Sequence, residues 1–129
     1  MSDTVANMLT SIRNAASLRK QYVDLPSSKQ SIAMIALLKR SGFVWDYEVV
    51  AGSRPVVRVG LKYSTTGEPA LRAIDSVSKP GNRVFVSVKQ IPIVLQGLGI
   101  AVISTNRGLL SDREAKAQRV GGEYVCQVY

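Results

Sequence analysis

The chain has 129 residues, 46% of them hydrophobic, with a formal net charge of +8 and a pI near 10.0. That length fits one domain or two small ones closely packed, and the charge points to a polyanion, either nucleic acid or an anionic membrane surface. With no histidine and one cysteine, the composition excludes a His/Cys zinc site, an intramolecular disulfide and a cysteine–histidine catalytic dyad.

Residues 3 to about 17 are predicted as a helix. Val5, Met8, Leu9, Ile12, Ala15 and Ala16 recur at helical spacing on one face, and Ser2 or Asp3 is placed to cap it. Asn7, Thr10, Ser11, Arg13 and Asn14 fall mostly on the other side, which suits a solvated face or a face laid on phosphates. Tyr22 to Leu25 reads as a short strand ending at Pro26. Ser27 with Gln30 matches a capping box and opens a second helix, apolar from Ala33 to Leu38 on much of its circumference and so expected to lie on a sheet. Lys39 and Arg40 favour its C-terminal dipole, and Gly42 stands where a left-handed cap belongs. Phe43, Trp45, Tyr47 and Val49 then alternate with Val44, Asp46, Glu48 and Val50. After a turn around Gly52–Pro55, Val57, Val59, Leu61 and Tyr63 alternate with Arg58, Gly60 and Lys62. The two runs predict a hairpin with one buried face.

The polar segment Ser64–Pro69 holds both glycine and proline and is the clearest boundary. It divides an expected 1–65 α/β domain from a 66–129 β-rich domain. In the second half, Leu71–Val77 is a candidate strand, Lys79-Pro80-Gly81-Asn82 a turn, and Arg83–Lys89 an alternating strand. Ile91–Leu95 suits one helical turn, stopped by Gly97 and Gly99. Ile100–Ser104 is a short buried strand, followed by a small-polar turn from Ser104 to Gly108. Ser111 and Glu114 form a capping box that opens a short helix to about Arg119. Val120-Gly121-Gly122 breaks it, and Glu123–Tyr129 closes the chain as a strand, with Cys126 a core residue. The predicted class is α+β: an N-terminal α-β-α-β-β domain packed against a C-terminal β-rich domain with a short helix. No run of about eighteen apolar residues and no signal peptide is present, so the sequence predicts a soluble, intracellular protein with no membrane partner.

The basic residues are spread along the chain without a polylysine tail, so any binding surface is built by the fold. Ser104, Thr105 and Asn106 carry donors and acceptors on short side chains, Arg107 adds a cation, and Gly108 removes a side chain where a partner's backbone can come close. Such a turn suits sugar hydroxyls, phosphates and base edges, but on the local pattern alone an ordinary strand-to-helix connection is the favoured reading, since small polar residues are what turns need anyway. A nuclease or hydrolase would have to use Asp112, Glu114 and Lys116. Two residues apart on a helix, the carboxylates diverge by about 200° and do not easily share a metal or a proton. No catalytic residue, metal or cofactor is therefore expected.

Several segments together carry a more specific signal. They are Ile100–Gly108, Asp112-Arg113-Glu114-Ala115 and Val120-Gly121-Gly122-Glu123, supported by Met8–Ala15, Pro26-Ser27-Ser28-Lys29, Gly42-Phe43, Asp46-Tyr47, Ser78–Gly81, Arg83-Val84-Phe85 and Ile91-Pro92 through Leu98-Gly99. In these the chain resembles the bacterial-type small-subunit ribosomal protein eight family, over its full length and in the family's order. The resemblance implies a non-enzymatic structural constituent of the small ribosomal subunit. In that family an N-terminal α/β domain and a C-terminal β-rich domain both bind the central domain of small-subunit (16S-type) rRNA, early in assembly of the platform and body. It further implies neighbouring small-subunit proteins as partners and, as in several bacteria, repression of its own operon through an mRNA site that mimics the rRNA one. The implied location is the cytoplasmic small subunit, with an organellar ribosome left open.

By position, Ser104-Thr105-Asn106, continued by Arg107 and Gly108, match the family's serine-threonine-serine turn, which contacts the irregular core of an rRNA helix. Gly122 and Glu123 match the adjoining loop, and Lys79, Gly81 and Arg83 the basic turn between strands. Thr10, Arg13 and Asn14 match the helix face that meets a second rRNA helix, with Lys29 in the serine-lysine motif beside it. Asn106 departs from the family's usual serine, and Leu110-Ser111 from its usual methionine-threonine. The chemistry suits RNA, whose duplex hides its bases in a deep groove and is read through backbone, 2′-hydroxyls and irregular regions. Glu123 is either an acceptor for a 2′-hydroxyl or amino group or a solvated strand end. Roughly six to eight phosphate contacts would make binding fall steeply with salt. Tyr63, Phe85, Tyr124 and Tyr129 offer rings that can stack on bases, but most aromatics at alternating positions are core, and none is assigned to RNA.

Overall fold

A computed structural model describes residues 2–129, with side chains described from Val5 onward; the expected caps Ser2 and Asp3 lie outside the described side chains. The chain is mixed α+β, with three α-helices, a three-stranded and a five-stranded antiparallel sheet, and two compact units, residues 3–72 and 73–129.

The first unit begins with α1 (Ser2–Ser17). Its side chains Val5, Met8, Leu9, Ile12, Ala15 and Ala16 are all buried, as the spacing predicts. Strand β1 (Tyr22–Pro26) leads into α2 (Lys29–Arg40), and β2 (Val44–Val50) and β3 (Val56–Leu61) complete a sheet in the order β1-β3-β2. Helix α2 opens one residue later than the sequence predicts. Ser27 N–H donates to the Pro55 carbonyl at 3.0 Å, so Ser27 is still tied to the hairpin. Ser28 is the N-cap instead, and its hydroxyl accepts from Ser31 N while the Ser31 hydroxyl accepts from Ser28 N. The Ser27/Gln30 box is thereby replaced by Ser28/Ser31. At the other end Gly42, with φ +86°, allows Phe43 N–H to reach Leu38 O and Gly42 N–H to reach Lys39 O, a paired closure of the last turn.

The hairpin forms as predicted, but one side chain goes the other way. Pairing shifts between Val44 and Asp46, which makes Trp45 an extra residue in a β-bulge. Val44 and Tyr47 then both pair with core-facing positions of β3, while Trp45 is 71% exposed. On the outer face Arg58 grips Asp24 through Nε and Nη2 at 2.9 and 3.1 Å. That guanidinium holds the Asp24 carboxyl below its ordinary range, and the hydrogen bond from Lys39 does the same for Asp46.

The second unit is a sheet ordered β4-β8-β6-β7, with β5 on the other half of the β8 edge that β4 uses. The strands are β4 (Ile74–Ser76), β5 (Phe85–Val86), β6 (Ile100–Thr105), β7 (Gly108–Ser111) and β8 (Gly122–Val128), and α3 (Asp112–Gln118) follows β7. β6 is central and buried on both faces from Ile100 to Ile103. Ala101 and Ile103 join Ile91, Val94, Leu110 and Ala115 in one apolar cluster, each buried valine, leucine or isoleucine side chain contributing about 1.5–3 kcal/mol. Cys126 is fully buried, and burial pushes its thiol up to about 12.

Three expected elements here change length or place. The Leu71–Val77 strand shortens to β4, because a bulge at Val125 draws both Val77 N and Ser78 N onto one carbonyl. Arg83–Lys89 pairs only at Phe85 and Val86. Its alternation is real, but Ser87 then caps a 3-10 turn at Val88–Gln90. The helical turn expected at Ile91–Leu95 lies at Leu95–Gly97 instead.

Candidate nucleic-acid interface

The segment Ser104–Gly108 is a hairpin, not a strand-to-helix turn. β6 runs through Thr105, only Asn106 and Arg107 are loop, and Gly108 starts β7 opposite Thr105. Gly108 has φ +100°, which a side chain would oppose, and this residue after a two-residue turn lets the strands close. The Thr105 hydroxyl locks the tip: it accepts from Arg107 N at 3.0 Å and donates to Gly108 O at 2.9 Å. Asn106 and Arg107 are left exposed at the end of the sheet.

Directly paired residues share a face, so one row crosses four strands: Leu109 on β7, Ser104 on β6, Glu123 on β8 and Phe85 on β5. Gly122 lies beside it with its backbone against Ser104, where an added Cβ would stand 2.1 Å from the Ser104 carbonyl oxygen. Its glycine is therefore required by packing. Phe85 is 69% exposed at the end of this row, on the face that the alternation of Arg83–Lys89 gives it together with Arg83 and Ser87. Tyr124 and Tyr129, by contrast, pack against the apolar cluster, and burial raises the Tyr124 phenol. The Tyr63 hydroxyl is used on the Lys20 carbonyl.

The basic turn is tied to the same row. Ser78 is buried, donates its hydroxyl to Glu123 Oε2 at 2.5 Å and accepts from Val84 N at 3.2 Å. Arg83 Nη1 reaches the same carboxylate oxygen at 3.2 Å, where the Glu123 side chain is only 13% exposed. Glu123 is thus an internal acceptor that orients Arg83 and the strand before it. Lys79 and Asn82 exchange backbone hydrogen bonds around Pro80-Gly81, leaving Lys79 and Gly81 exposed, with nothing within 4 Å of a Cβ at Gly81. The structure therefore brings Ser104, Thr105, Asn106, Arg107, Gly108, Gly122, Glu123, Lys79, Gly81 and Arg83 to one end of one sheet.

The remaining predicted residues lie in the first unit. Thr10, Arg13 and Asn14 are exposed on a common stripe of α1, with the Thr10 hydroxyl donating to Ala6 O at 2.9 Å. Lys29 is exposed on the first turn of α2. Sequence reasoning missed a cleft of about 480 Å³ beside that stripe, lined among others by Ser11, Asn14, Lys20, Tyr22 and Arg58. Only tertiary pairing of β1 with β3 assembles it.

The carboxylates an enzyme would need are committed to structure. Asp112 is buried and accepts from Ala101 N at 3.3 Å, and Glu114 accepts from Ser111 N at 2.9 Å in the capping box. Among the described residues no group of three or more His, Cys, Asp or Glu side chains is placed to hold a metal ion, and no helix is long and apolar enough to cross a membrane.

Comparison with known proteins agrees with the sequence resemblance. The family model described as Ribosomal protein S8 matches residues 3–129. A small ribosomal subunit protein uS8 from Geobacter sulfurreducens is 46% identical over all of this chain and 98% of its own length. Those from Oceanobacillus iheyensis and Acholeplasma laidlawii are 45% and 43% identical, with the same coverage. The chain belongs to the ribosomal protein S8 family, a family of ribosomal structural proteins and not of enzymes.

Proposed function

We propose that this protein is a constituent of the small ribosomal subunit that binds the central domain of small-subunit rRNA and holds it during assembly. The supporting observation is the row Leu109–Ser104–Glu123–Phe85, with the Asn106-Arg107 tip at one side and the Lys79–Arg83 turn joined to it through Glu123. It offers small hydroxyls and an amide for a shallow groove, exposed cations for phosphates and one exposed ring for an unstacked base. Residues 66–129 act as the principal rRNA-binding domain, and residues 1–65 add a second contact through Thr10, Arg13, Asn14 and Lys29. Neighbouring small-subunit proteins are further partners. An operon messenger that presents the same irregular helix would be held by the same row, which is the physical basis for autogenous repression.

The test is equilibrium binding to a central-domain rRNA fragment beside an unrelated RNA duplex of equal length, over a salt series. At least about a hundredfold preference for the cognate fragment, or roughly 2.7 kcal/mol, is expected. Equal affinity for both would reduce the protein to a general polyanion binder.

A further inference from the structure

The cleft beside α1 is made of two walls and one tight connection. Ser11, Asn14, Ala15 and Leu18 recur at helical spacing along the last turns of α1 and line one side. Tyr22, Val23 and Asp24 of β1 line the other. The connection is fixed at several points. Arg19 takes the left-handed conformation, with φ +58°, just past the end of the helix. Lys20 N–H then donates to Ala15 O at 3.0 Å, the Lys20 carbonyl accepts from the Tyr63 hydroxyl, and the Gln21 carbonyl accepts from Leu61 N at 2.8 Å. The walls are therefore set before a ligand arrives, which lowers the ordering cost of binding.

The lining selects the kind of ligand. Leu18 and Tyr22 are 68% and 60% exposed, so an aliphatic group and an aromatic ring stand uncovered. Ser11 and Asn14 add a hydroxyl and an amide, and among the described residues neither side chain makes a hydrogen bond. Lys20 is exposed and forms no ion pair among the described residues, whereas the Arg58 guanidinium is already gripped by Asp24. The cleft thus offers one uncommitted cation. A bare phosphate or a carboxylate would be held by Lys20 alone, leaving the ring and the amide unused. A nucleotide uses all three: the face of its base stacks on an aromatic ring, its polar edge meets an amide that both donates and accepts, and its phosphate meets the cation. The volume of about 480 Å³ lies within the roughly 300–1,000 Å³ of small-ligand sites. Asn14 belongs both to the cleft and to the exposed stripe of α1, so an RNA strand laid along that stripe runs past the cleft.

We propose that this cleft takes one unstacked nucleobase of the bound rRNA, with the base on the Tyr22 ring, its edge on Ser11 and Asn14, and an adjoining phosphate on Lys20. The inference rests on the reading of α1 as an rRNA contact. It makes that contact a reader of RNA structure in place of a purely electrostatic one, because only a strand with a free base can enter.

The isotope-labelled full-length protein would be titrated with the dinucleotide ApU, with ribose phosphate, which lacks a base, and with an acetylated, amidated Gly-Asp-Gly-Asp-Gly peptide, while its backbone amide resonances are followed. Saturable shifts at Ser11, Asn14, Leu18 and Tyr22 are expected with ApU, with binding at least fivefold weaker for ribose phosphate and for the peptide. Tyr22→Ala should abolish the ApU response, and Tyr22→Phe, which keeps the ring, should restore it. On the central-domain rRNA fragment, Tyr22→Ala should weaken binding at least about fivefold, the low end for one base stacked on a ring, without changing the salt slope. Lys20→Ala should instead lower that slope by about one. If Tyr22→Ala fails to fold by circular dichroism, Asn14→Ala, at an exposed helix position, should weaken ApU about threefold or more. No saturation by ApU, or an equal response to ribose phosphate or to the peptide, would overturn the assignment. So would a Tyr22→Ala protein that equals the native one on a fragment the native protein still prefers about a hundredfold. Absence of that preference in the native protein would instead contradict the rRNA reading, and the ApU titration would still decide the cleft.

Discussion

Ser78 and Glu123, 45 positions apart in sequence, are joined by a 2.5 Å hydrogen bond between the Ser78 hydroxyl and Glu123 Oε2. Ser78 stands immediately before the Lys79–Asn82 turn, and Glu123 lies in the row beside Ser104. The bond therefore couples the position of the turn's cations to that of the hairpin. Ser78→Ala also leaves Val84 N without its acceptor. It should cost about 1–3 kcal/mol in urea denaturation. Glu123→Gln, which releases Arg83, should weaken rRNA binding with a smaller loss of stability. Unchanged denaturation midpoints for Ser78→Ala would dissolve the coupling.

Two glycines in the candidate surface separate folding from binding. Gly122→Ala would place a Cβ 2.1 Å from the Ser104 carbonyl oxygen, so β8 must shift from β6. The expected loss is about 1–3 kcal/mol or more. Gly81→Ala meets nothing within 4 Å and needs no left-handed backbone, so its stability should match the native protein. Any loss of rRNA affinity in Gly81→Ala would then report close approach of an RNA backbone. Paired thermal melts and binding curves check both.

The sequence carried the periodic and local parts of this fold. Helix α1, the Ser111/Glu114 cap and the buried Ile100–Ile103 run depend on neighbours a few residues away. What escaped it depends on distant partners. The extra residue at Trp45 exists only relative to β3, and β7 is hidden because Gly108–Ser111 reads as loop until it pairs with β6. The interface shows the same division. The residue types at Ser104, Lys79 and Arg83 were legible, but the carboxylate that links them and the place of Phe85 at the end of the row follow from the pairing of β5, β6 and β8.

The relocated cap of α2 gives a clean comparison. Ser28→Ala removes the acceptor of Ser31 N, and should cost about 1 kcal/mol. Ser31→Ala should cost at least as much, because its hydroxyl accepts from Ser28 N and donates to Pro26 O. Ser27→Ala should be near neutral, since Ser27 contributes its backbone N–H to Pro55. Denaturation midpoints ranking Ser27→Ala lowest would return the cap to Ser27.

Cys126 is a built-in probe of the second unit. Its thiol rises from an ordinary 9.0 to about 12 because burial disfavours the thiolate. A raised pKa stabilises the folded state fully below pH 9, and that contribution is lost as pH climbs toward about 12. At pH 8 a thiol reagent should leave the native protein unmodified and react on unfolding in denaturant. Rapid labelling of the native protein would contradict the burial.

The most direct test of the account compares native protein, Ser104→Ala and Lys79→Ala on the cognate central-domain fragment and on an unrelated duplex. Ser104→Ala should lower cognate affinity about three- to tenfold, the worth of one hydrogen bond, and leave the duplex untouched. Lys79→Ala should weaken both RNAs and reduce the salt slope by about one. If Ser104→Ala changes nothing while Lys79→Ala acts on both RNAs alike, the hairpin row is a structural end of a sheet and the recognition surface lies elsewhere.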